Sequence, residues 1–219
     1  MSLIVHGAGY STCTQRILTT LCELDVEDWK LEFVDMLKGV HKSPEHLAMQ
    51  PFGQIPVLKD GDLTLFESRA VSRYLAEKFE GQGTALLGKD SKERALVNQW
   101  WEVESQNFNP PAASIVYEVV FTSMFGQKCN DEVVAQQVAK LEKVLDVYEA
   151  HLAKSKYLAG DSFTLADLSH LPYAQMLNTA AGKAELFTSR PHVSAWWTDI
   201  SSRPSFQKVL GMNEFTKGQ

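Results

Sequence analysis

Glu67 and Ser68 stand where the hydrophobic pattern of the chain changes to a helical period, and residues of these types at such a point can bind a charged ligand. The apolar residues that follow them at this spacing are Val71, Tyr74, Leu75 and Phe79. The spacing predicts a helix that begins at Glu67-Ser68. The first turn of a helix has unpaired N–H groups and partial positive charge, so it favours a carboxylate, and Glu67 can pair with an ammonium group. A ligand with both groups on one carbon, as in an α-amino acid, would satisfy this corner.

The segment from Gln50 to Ala70, QPFGQIPVLKDGDLTLFESRA, positions these two residues. Asp60-Gly61 lies between two short apolar runs and predicts a β-hairpin with a two-residue turn. Pro56 stands at the start of the first of these strands, where it indicates a tight turn, because proline cannot donate to the hydrogen-bond ladder. The segment therefore predicts a loop, a strand, a turn, a second strand and the start of a helix.

Three further elements precede this segment and complete a small domain. Leu3–His6 is an apolar run that predicts a strand, and residues 29–33 alternate apolar and polar, which predicts a second strand. Between them, residues 14–24 have apolar positions at helical spacing, and Ser11 precedes them as the expected N-cap. The order strand, helix, strand, hairpin, helix predicts a thioredoxin-like domain over residues 1–80, with the helix joining parallel strands.

The second half of the chain predicts an all-helical domain. Gly81–Gly88 is a break in composition, so we place a linker over residues 81–90 and the second domain over residues 91–219. A proline pair is expected to break or kink a helix, and Pro110-Pro111 is expected to interrupt the first helical segment. The predicted segments are residues 91–107, a continuation after the prolines through Phe125, Asn130–Leu152, Thr164–Asn178 and His192–Ser202. The fold class is therefore α/β plus all-α.

Composition excludes several classes of partner. The formal net charge of −6 and the absence of a Lys/Arg cluster argue against nucleic-acid binding. No apolar run approaches the ~18 residues of a membrane span, and the first residues, MSLIVHGAG, lack the basic and apolar regions of a signal peptide. The chain has 3 cysteines, none at metal-ligand spacing, so no metal and no disulfide framework are expected. These observations predict a cytoplasmic protein.

Asp167 is the acidic residue of the second half that is most easily mistaken for a catalytic group. It lies three residues after Thr164, and apolar Phe163 and Leu168 flank the pair. This is the pattern of a capping box with a hydrophobic staple, in its aspartate variant. The capping role explains the residue type, the spacing and both apolar neighbours, so we interpret Asp167 as structural.

The segment from Gln50 to Ala70 and the string GAGYSTCTQR at residues 7–16 resemble the glutathione S-transferases, and the plant phi class in particular. The resemblance covers essentially the whole chain. It implies a thioredoxin-like domain followed by a helical domain, and an enzyme of detoxification and stress response. The implied activity is conjugation of the glutathione thiolate to apolar electrophiles, with reduction of organic hydroperoxides as a side activity. A homodimer is also implied, with glutathione as co-substrate.

The resemblance implies a glutathione site whose residues divide by the part of glutathione that they bind. By resemblance, His41 and Lys42 hold the glycine carboxylate. Gln54 and Ile55 lie beside the cysteinyl part, where the backbone of Ile55 pairs with the ligand and the bond before Pro56 is cis. Glu67 and Ser68 bind the γ-glutamyl head, and Ser11 and Thr12 stand at the start of the first helix.

Ser11 carries the chemistry that the resemblance implies. Conjugation needs a thiolate, whereas a free cysteine thiol titrates near ~8.5. A hydroxyl donor at a helix N-terminus lowers that pKa because it stabilises the anion. The implied role of Ser11 is therefore to donate a hydrogen bond to the sulfur of the substrate. Gly9 and Tyr10 stand where the family usually has proline or a small apolar residue, so the loop before Ser11 is expected to be looser.

Two other functions stay open at this point. The protein could bind glutathione and carry apolar ligands without turning them over, or it could be a thiol transferase that works through Cys13. Cysteine-type members of the superfamily have their thiol in place of the serine, but Cys13 lies two residues past Ser11. The chain has no C-x-x-C motif, which disfavours dithiol exchange.

The electrophile pocket is expected to be apolar and to lie between the two domains. By resemblance its candidate residues are Tyr10, Met36, Tyr117, Phe121 and Met176. A further apolar residue, Phe52, stands at a loop tip between a proline and a glycine. The resemblance implies that Phe52 inserts into the helical domain of the partner subunit and anchors the dimer.

Overall fold

The computed structural model describes residues 2–124 and 126–212, and these form two compact units. The first unit holds the described residues through Ala85 together with the last helix, Pro204–Gly211. The second unit is Leu86–Arg203. The ranges 1–80, 81–90 and 91–219 stay a prediction, and residues 213–219 of the last range lie outside the described residues. The sequence pattern does not predict that the last helix belongs with the first unit.

The first unit is a four-stranded mixed sheet with helices. Its strands lie in the order β2-β1-β3-β4; β1 is parallel to β2 and antiparallel to β3, which in turn is antiparallel to β4. The thioredoxin-like arrangement predicted from the sequence is confirmed. The elements in chain order are β1 (Leu3–Gly7), α1 (Thr12–Glu23), β2 (Trp29–Phe33), a 3-10 turn (Val40–Lys42), α2 (Pro44–Met49), β3 (Val57–Asp60), β4 (Leu63–Phe66) and α3 (Ser68–Lys78).

Helix α1 is buried on nearly all sides. It packs against α3 and against the returning helix Pro204–Gly211, and its apolar residues Ile17, Leu18 and Leu21 are fully buried. Polar residues of the same helix are buried as well, among them Arg16, whose side chain has no exposure. Because buried polar groups need hydrogen-bond partners, the polar side of α1 has to be paired within the protein.

The hairpin before α3 is confirmed, but its turn is one residue later than predicted. Asp60 pairs with Leu63, so the two-residue turn is Gly61-Asp62 and Asp60 closes the first strand. Gly61 has φ 61°, which a glycine adopts at no steric cost. Positive φ at the first turn residue and not at Asp62 is the pattern of a type II′ turn, not of the type I′ turn that Asp-Gly favours.

Among the described residues, the second unit consists of helices and their connecting turns, with one isolated bridge between Tyr157 and Gly160. A π-helical turn, Glu104–Phe108, joins α4 to α5, and a second one, Tyr117–Phe121, joins α5 to α6. The predicted continuation through Phe125 ends at a residue outside the described ones. The α-helices are α4 (Ser91–Val103), α5 (Asn109–Val116), α6 (Thr122–Met124), α7 (Asp131–Leu152), α8 (Leu165–Leu168), α9 (Leu171–Asn178), α10 (Glu185–Thr188) and α11 (Pro191–Ser201). The last helix, Pro204–Gly211, is α12.

The predicted interruption at the proline pair is present, but it is a π turn between two α-helices and not a loop. The π turn before the prolines ends with the N–H of Asn109 donating to the carbonyl of Glu104. Pro110 and Pro111 then fall in the first turn of α5, where no N–H is needed for an intrahelical bond. The extra residue in the π turn therefore places the prolines where a helix tolerates them.

The capping box at Asp167 is confirmed. Its Oδ2 accepts from the backbone N–H of Thr164 at 3.0 Å, and the Thr164 hydroxyl oxygen accepts from the N–H of Ala166 at 3.3 Å. Its Oδ1 accepts from the N–H of Leu158 and from Trp196 Nε1, both at 3.0 Å. Full burial raises the pKa of Asp167, and these hydrogen bonds act in the opposite direction. The carboxylate is therefore a buried structural acceptor for three segments of the unit.

Candidate functional site

Ser11 is the N-cap of α1, as the sequence predicts. Its backbone is extended, with φ −77° and ψ 124°, and its Oγ accepts from the N–H of Thr14 at 3.4 Å. Thr14 in turn packs against the strand end: a Cβ on Gly7 would lie 2.6 Å from Thr14 Oγ1, so glycine is required there. In its capping bond the Ser11 hydroxyl only accepts, so its own proton is left for another acceptor. Ser11 is half-buried, so it is not closed off from solvent.

Tyr10 and Cys13 flank Ser11 but have different surroundings. The Tyr10 side chain is 38% exposed, and its ring meets the edge of Phe33 with centroids 6.5 Å apart. Burial and the charge of Asp35 raise the pKa of the Tyr10 phenol. The half-buried Cys13 Sγ lies 3.9 Å from the Nη1 of Arg16. Neither side chain takes part in the cap of α1.

Glu67 and Ser68 open α3, which confirms the predicted helix start. Glu67 is the N-cap with φ 68° and ψ 103°, outside the regions that a residue with a side chain favours, and its side chain is exposed. Such backbone conformations persist where the surrounding structure imposes them, and they cluster at ligand sites. No side chain caps this helix, so the N–H groups of its first turn remain available to a ligand. Ser68, the first helical residue, is buried.

The loop before β3 is held in place by buried polar residues of α2 and its C-cap. His46 Nε2 donates to the carbonyl of Gln54 at 2.7 Å, and Gln50 Oε1 accepts from the N–H of Gln54 at 3.3 Å. His46 and Gln50 are both buried. The bond between Ile55 and Pro56 is cis, as the resemblance implied. The loop therefore reaches β3 with a fixed backbone next to Gln54 and Ile55.

His41 and Lys42 lie in the 3-10 turn before α2. His41 Nδ1 is buried and has no hydrogen-bond partner among the described residues. Burial, and then the charges of Lys42 and His46, lower the pKa of His41, so its imidazole is neutral at neutral pH. Lys42 Nζ donates to the carbonyl of Phe52 at 3.0 Å, and a Cβ on Gly53 would lie 2.8 Å from the same Nζ. The structure thus places Lys42 against the Phe52-Gly53 loop. The buried Nδ1 of His41 is left to form a hydrogen bond with a ligand.

The predicted electrophile-pocket residues are divided between the two units. Tyr10 and Met36 belong to the first unit and are 38% and 37% exposed. Tyr117 belongs to the second unit and is 47% exposed, while Phe121 and Met176 of that unit are half-buried. The exposed apolar surface is therefore present on each unit, and the assignment of a pocket to these residues stays a prediction.

Two residues of this region were missed at the level of sequence. His46 holds the loop carbonyl of Gln54, and Arg16 joins α1 to α3 through Ser68 Oγ at 2.7 Å. A signal for Arg16 exists in the sequence of α1, TCTQRILTTLCE, in which charged residues are few. A helix without a charged face is buried on several sides, and a lone arginine in it needs partners inside the protein.

Family models and known proteins agree on what this chain is similar to. The model of the glutathione S-transferase N-terminal domain matches residues 1–77, and that of the C-terminal domain matches residues 112–204. Glutathione S-transferase F9 of Arabidopsis thaliana is 46% identical over 215 residues, which is 98% of this chain and 99% of that protein. The crystal structure of glutathione transferase F7 from Populus trichocarpa is 49% identical with a TM-score of 0.92, over 96% of this chain and 99% of that one.

A third similar protein has been solved with a bound ligand. It is glutathione S-transferase I from maize in complex with an atrazine glutathione conjugate, 39% identical with a TM-score of 0.87, over 98% of this chain and 99% of that one.

With a thioredoxin-like unit, a helical unit and an open helix N-terminus at Ser68, the chain belongs to the glutathione S-transferase family. Its predicted resemblance to the plant phi class is confirmed, and so are the predicted enzyme, a glutathione transferase, and its co-substrate glutathione. No helix among the described residues has the length and apolar character that crossing a membrane requires.

Proposed function

We propose that this enzyme transfers glutathione to apolar electrophiles and that Ser11 activates the thiol. The observation that carries the proposal is the cap of α1: Ser11 Oγ accepts from Thr14, so its proton is left to bind a sulfur anion over the helix N-terminus. The thiol proton leaves to solvent, and the sulfur attacks an electrophilic carbon. A C–S bond forms, and the leaving group, where there is one, departs with its electron pair. Hydrogen bonding and the helix end both favour the thiolate.

The remaining groups bind glutathione along its length. The carboxylate of the γ-glutamyl head lies at the first turn of α3 beside Ser68, and its ammonium pairs with Glu67. The backbone of Ile55 pairs with the cysteinyl part, which the fixed carbonyl of the neighbouring Gln54 supports. The glycine carboxylate lies at His41 and Lys42. Thr12, buried in the first turn of α1, completes the set through its place beside Ser11.

One assay separates this function from its rivals. Purified protein is mixed with glutathione and an activated aryl halide, and the thioether is measured by absorbance and mass. Formation above the uncatalysed rate supports conjugation, whereas tight glutathione binding without turnover would indicate a carrier. A mixed disulfide at Cys13 in intact-mass spectra after incubation with oxidised glutathione, from which the Cys13 thiolate displaces one glutathione, would indicate the thiol transferase. An organic hydroperoxide in place of the aryl halide tests the proposed peroxidase side activity. We also propose a cytoplasmic location for the enzyme.

His41 and Lys42 should affect glutathione affinity more than the chemical step. Both contact a carboxylate remote from the sulfur, and such contacts are felt about equally in the ground and transition states. Hydrogen bonds to a charged group contribute ~1.5–3 kcal/mol, so His41→Ala or Lys42→Ala should raise the KM for glutathione about tenfold or more. The kcat at saturating glutathione should stay within several-fold of the parent enzyme.

Added salt distinguishes the contribution of His41 to glutathione affinity from that of Lys42. His41 is neutral because its pKa is lowered, so it supplies a hydrogen bond, whereas Lys42 supplies a charge that salt screens. We therefore expect added salt to raise the KM of the parent and of His41→Ala, and to raise that of Lys42→Ala less. An unchanged KM with a large loss of kcat in either variant would contradict their placement at a remote carboxylate.

We also propose a homodimer anchored by Phe52. This side chain is 65% exposed on a loop that is fixed by Lys42 and Gln50, and a large apolar ring on a fixed loop tip is suited to a partner pocket. Truncating a buried interface anchor costs at least ~2 kcal/mol. Phe52→Ala should therefore shift sedimentation velocity profiles towards monomer at low concentration.

The matched control is Leu37→Ala, because Leu37 is 73% exposed and also apolar. It should sediment as the parent protein does. If Phe52→Ala is as dimeric as Leu37→Ala across the dilution series, or if the parent protein is itself monomeric, the anchor assignment fails.

A further inference from the structure

Arg16 is a buried arginine at the junction of the two helices that open the glutathione site. Its side chain has no solvent exposure, and its Nη1 donates to Ser68 Oγ at 2.7 Å. Ser68 itself is 5% exposed and is the first residue of α3. A charged side chain is costly to bury, and arginine is rarely found without exposure unless it is paired. The bond to Ser68 therefore ties its guanidinium directly to the first residue of α3.

The bond to Arg16 fixes the direction in which the Ser68 hydroxyl can donate. A guanidinium has donors only, so Ser68 Oγ is the acceptor in this bond. The hydroxyl has a single proton, and the hydrogen bonds among the described residues include none in which Ser68 Oγ donates it. That proton is thus left for an acceptor that comes from outside. The same place has uncapped N–H groups, because no side chain caps α3 and its first backbone bond runs from Val71 to Glu67.

We propose that Arg16 is a positioning residue that selects for the α-carboxylate of the γ-glutamyl head of glutathione. It holds Ser68 as a donor towards the ligand, with its Nη1 2.7 Å from that hydroxyl oxygen at the end of α3. This arrangement favours an anion at this point over a neutral group. The proposal rests on the proposed placement of the γ-glutamyl head at Glu67 and Ser68. It makes Arg16 a determinant of substrate specificity although it need not touch the substrate.

One helical turn further along, the same two helices carry a pair that serves as an internal control. Thr20 Oγ1 donates to Ser72 Oγ at 3.0 Å, and both side chains are fully buried. Thr20 follows Arg16 by four residues, and Ser72 follows Ser68 by four, so each pair joins the same faces of α1 and α3. The Thr20–Ser72 pair is neutral and lies one turn inside α3. Breaking it disturbs the same packing without changing the charge or the donor at the helix end.

The test compares two ligands that differ only in the carboxylate. Glutathione and decarboxylated glutathione, which is γ-aminobutyryl-cysteinyl-glycine and lacks only the α-carboxyl, are titrated into the full-length enzyme with tryptophan fluorescence as readout. Arg16→Met should weaken glutathione about tenfold or more, as expected for the loss of a charge-assisted arrangement. Its affinity for decarboxylated glutathione should stay within several-fold. Thr20→Val should leave the ratio of the two affinities at the parent value.

Two more variants keep the inference testable where Arg16→Met does not fold. Arg16→Lys keeps the charge and the donors and should retain most of the preference for glutathione, and Ser68→Ala keeps Arg16 and should lose much of it. The inference is overturned if Arg16→Met or Ser68→Ala weakens the binding of glutathione and of decarboxylated glutathione equally, because the ratio of the two affinities then stays at the parent value. If the parent enzyme itself does not prefer glutathione over decarboxylated glutathione, the proposed placement of the γ-glutamyl head fails, and the inference fails with it.

Discussion

Ser11→Ala is expected to lower the kcat of conjugation by ~100-fold or more, because loss of a donor aimed at a resting or developing anion commonly has this cost. The structure supports this through the cap of α1, in which the Ser11 hydroxyl accepts from Thr14 and keeps its proton for the sulfur. The apparent pKa in the pH dependence of kcat should rise towards that of free glutathione. This apparent pKa rises because the variant removes a group that stabilises the thiolate relative to the thiol.

The neighbours of Ser11 provide the comparison variants. Tyr10→Phe should change which electrophiles are preferred, since Tyr10 is exposed beside Phe33 and its pKa is raised, so its surroundings do not favour an anion. Cys13→Ser should have little effect on the rate. A gain of disulfide reductase activity in Ser11→Cys would fit the same placement, because the new thiol would then face the bound glutathione.

Loss of the cap itself has to be separated from loss of the donor. Asn130 caps α7 and accepts from Glu132 and Val133 at 3.2 Å each, far along the chain from the site. Asn130→Ala should cost about 1 kcal/mol of stability, as cap removal typically does, and leave kcat unchanged. Near-full conjugation in Ser11→Ala together with loss in Cys13→Ser would overturn the assignment.

The parts of the fold that follow local rules were predictable from the sequence. The alternation at residues 29–33, the apolar spacing of α1 and the serine before it predicted two elements and a cap, and all are present. The change of period after Phe66 predicted the start of α3. These signals succeed because each depends on residues within one or two turns of each other.

The features that the sequence did not predict depend on geometry that a short pattern of residues does not contain. The hairpin turn shifted by one residue because Gly61, and not Asp60, had to take the positive φ. The π turn before Pro110 adds one residue to a helical turn, and the spacing of apolar residues does not predict such a turn. The bond from Arg16 to Ser68 joins positions 52 residues apart, so only the folded chain shows that a polar helix face supports the ligand site.

Asp167→Ala is expected to destabilise the helical unit by about 3 kcal/mol or more. The substitution removes the acceptor of the backbone N–H groups of Leu158 and Thr164 and of the Trp196 ring N–H. Each buried donor left without a partner costs roughly 1–3 kcal/mol. The shift should appear in urea unfolding followed by tryptophan fluorescence, since Trp196 itself is a partner of Asp167. Asp167→Asn should fall between the parent and the alanine variant, because one oxygen can still accept while the amide nitrogen faces donors.

Asp90 offers the matched control for this prediction. It caps α4 and accepts from the N–H groups of Lys92 and Glu93 at 2.8 and 2.9 Å, but at an exposed position. Asp90→Ala should therefore cost only about 1 kcal/mol, the usual effect of losing a solvated cap. At a temperature where Asp167→Ala is folded, its kcat per folded molecule should match that of the parent, because Asp167 supports the fold and not the reaction. A stability loss no larger than that of Asp90→Ala would show that burial does not raise the cost, and a loss of kcat in the folded variant would restore the catalytic interpretation of Asp167.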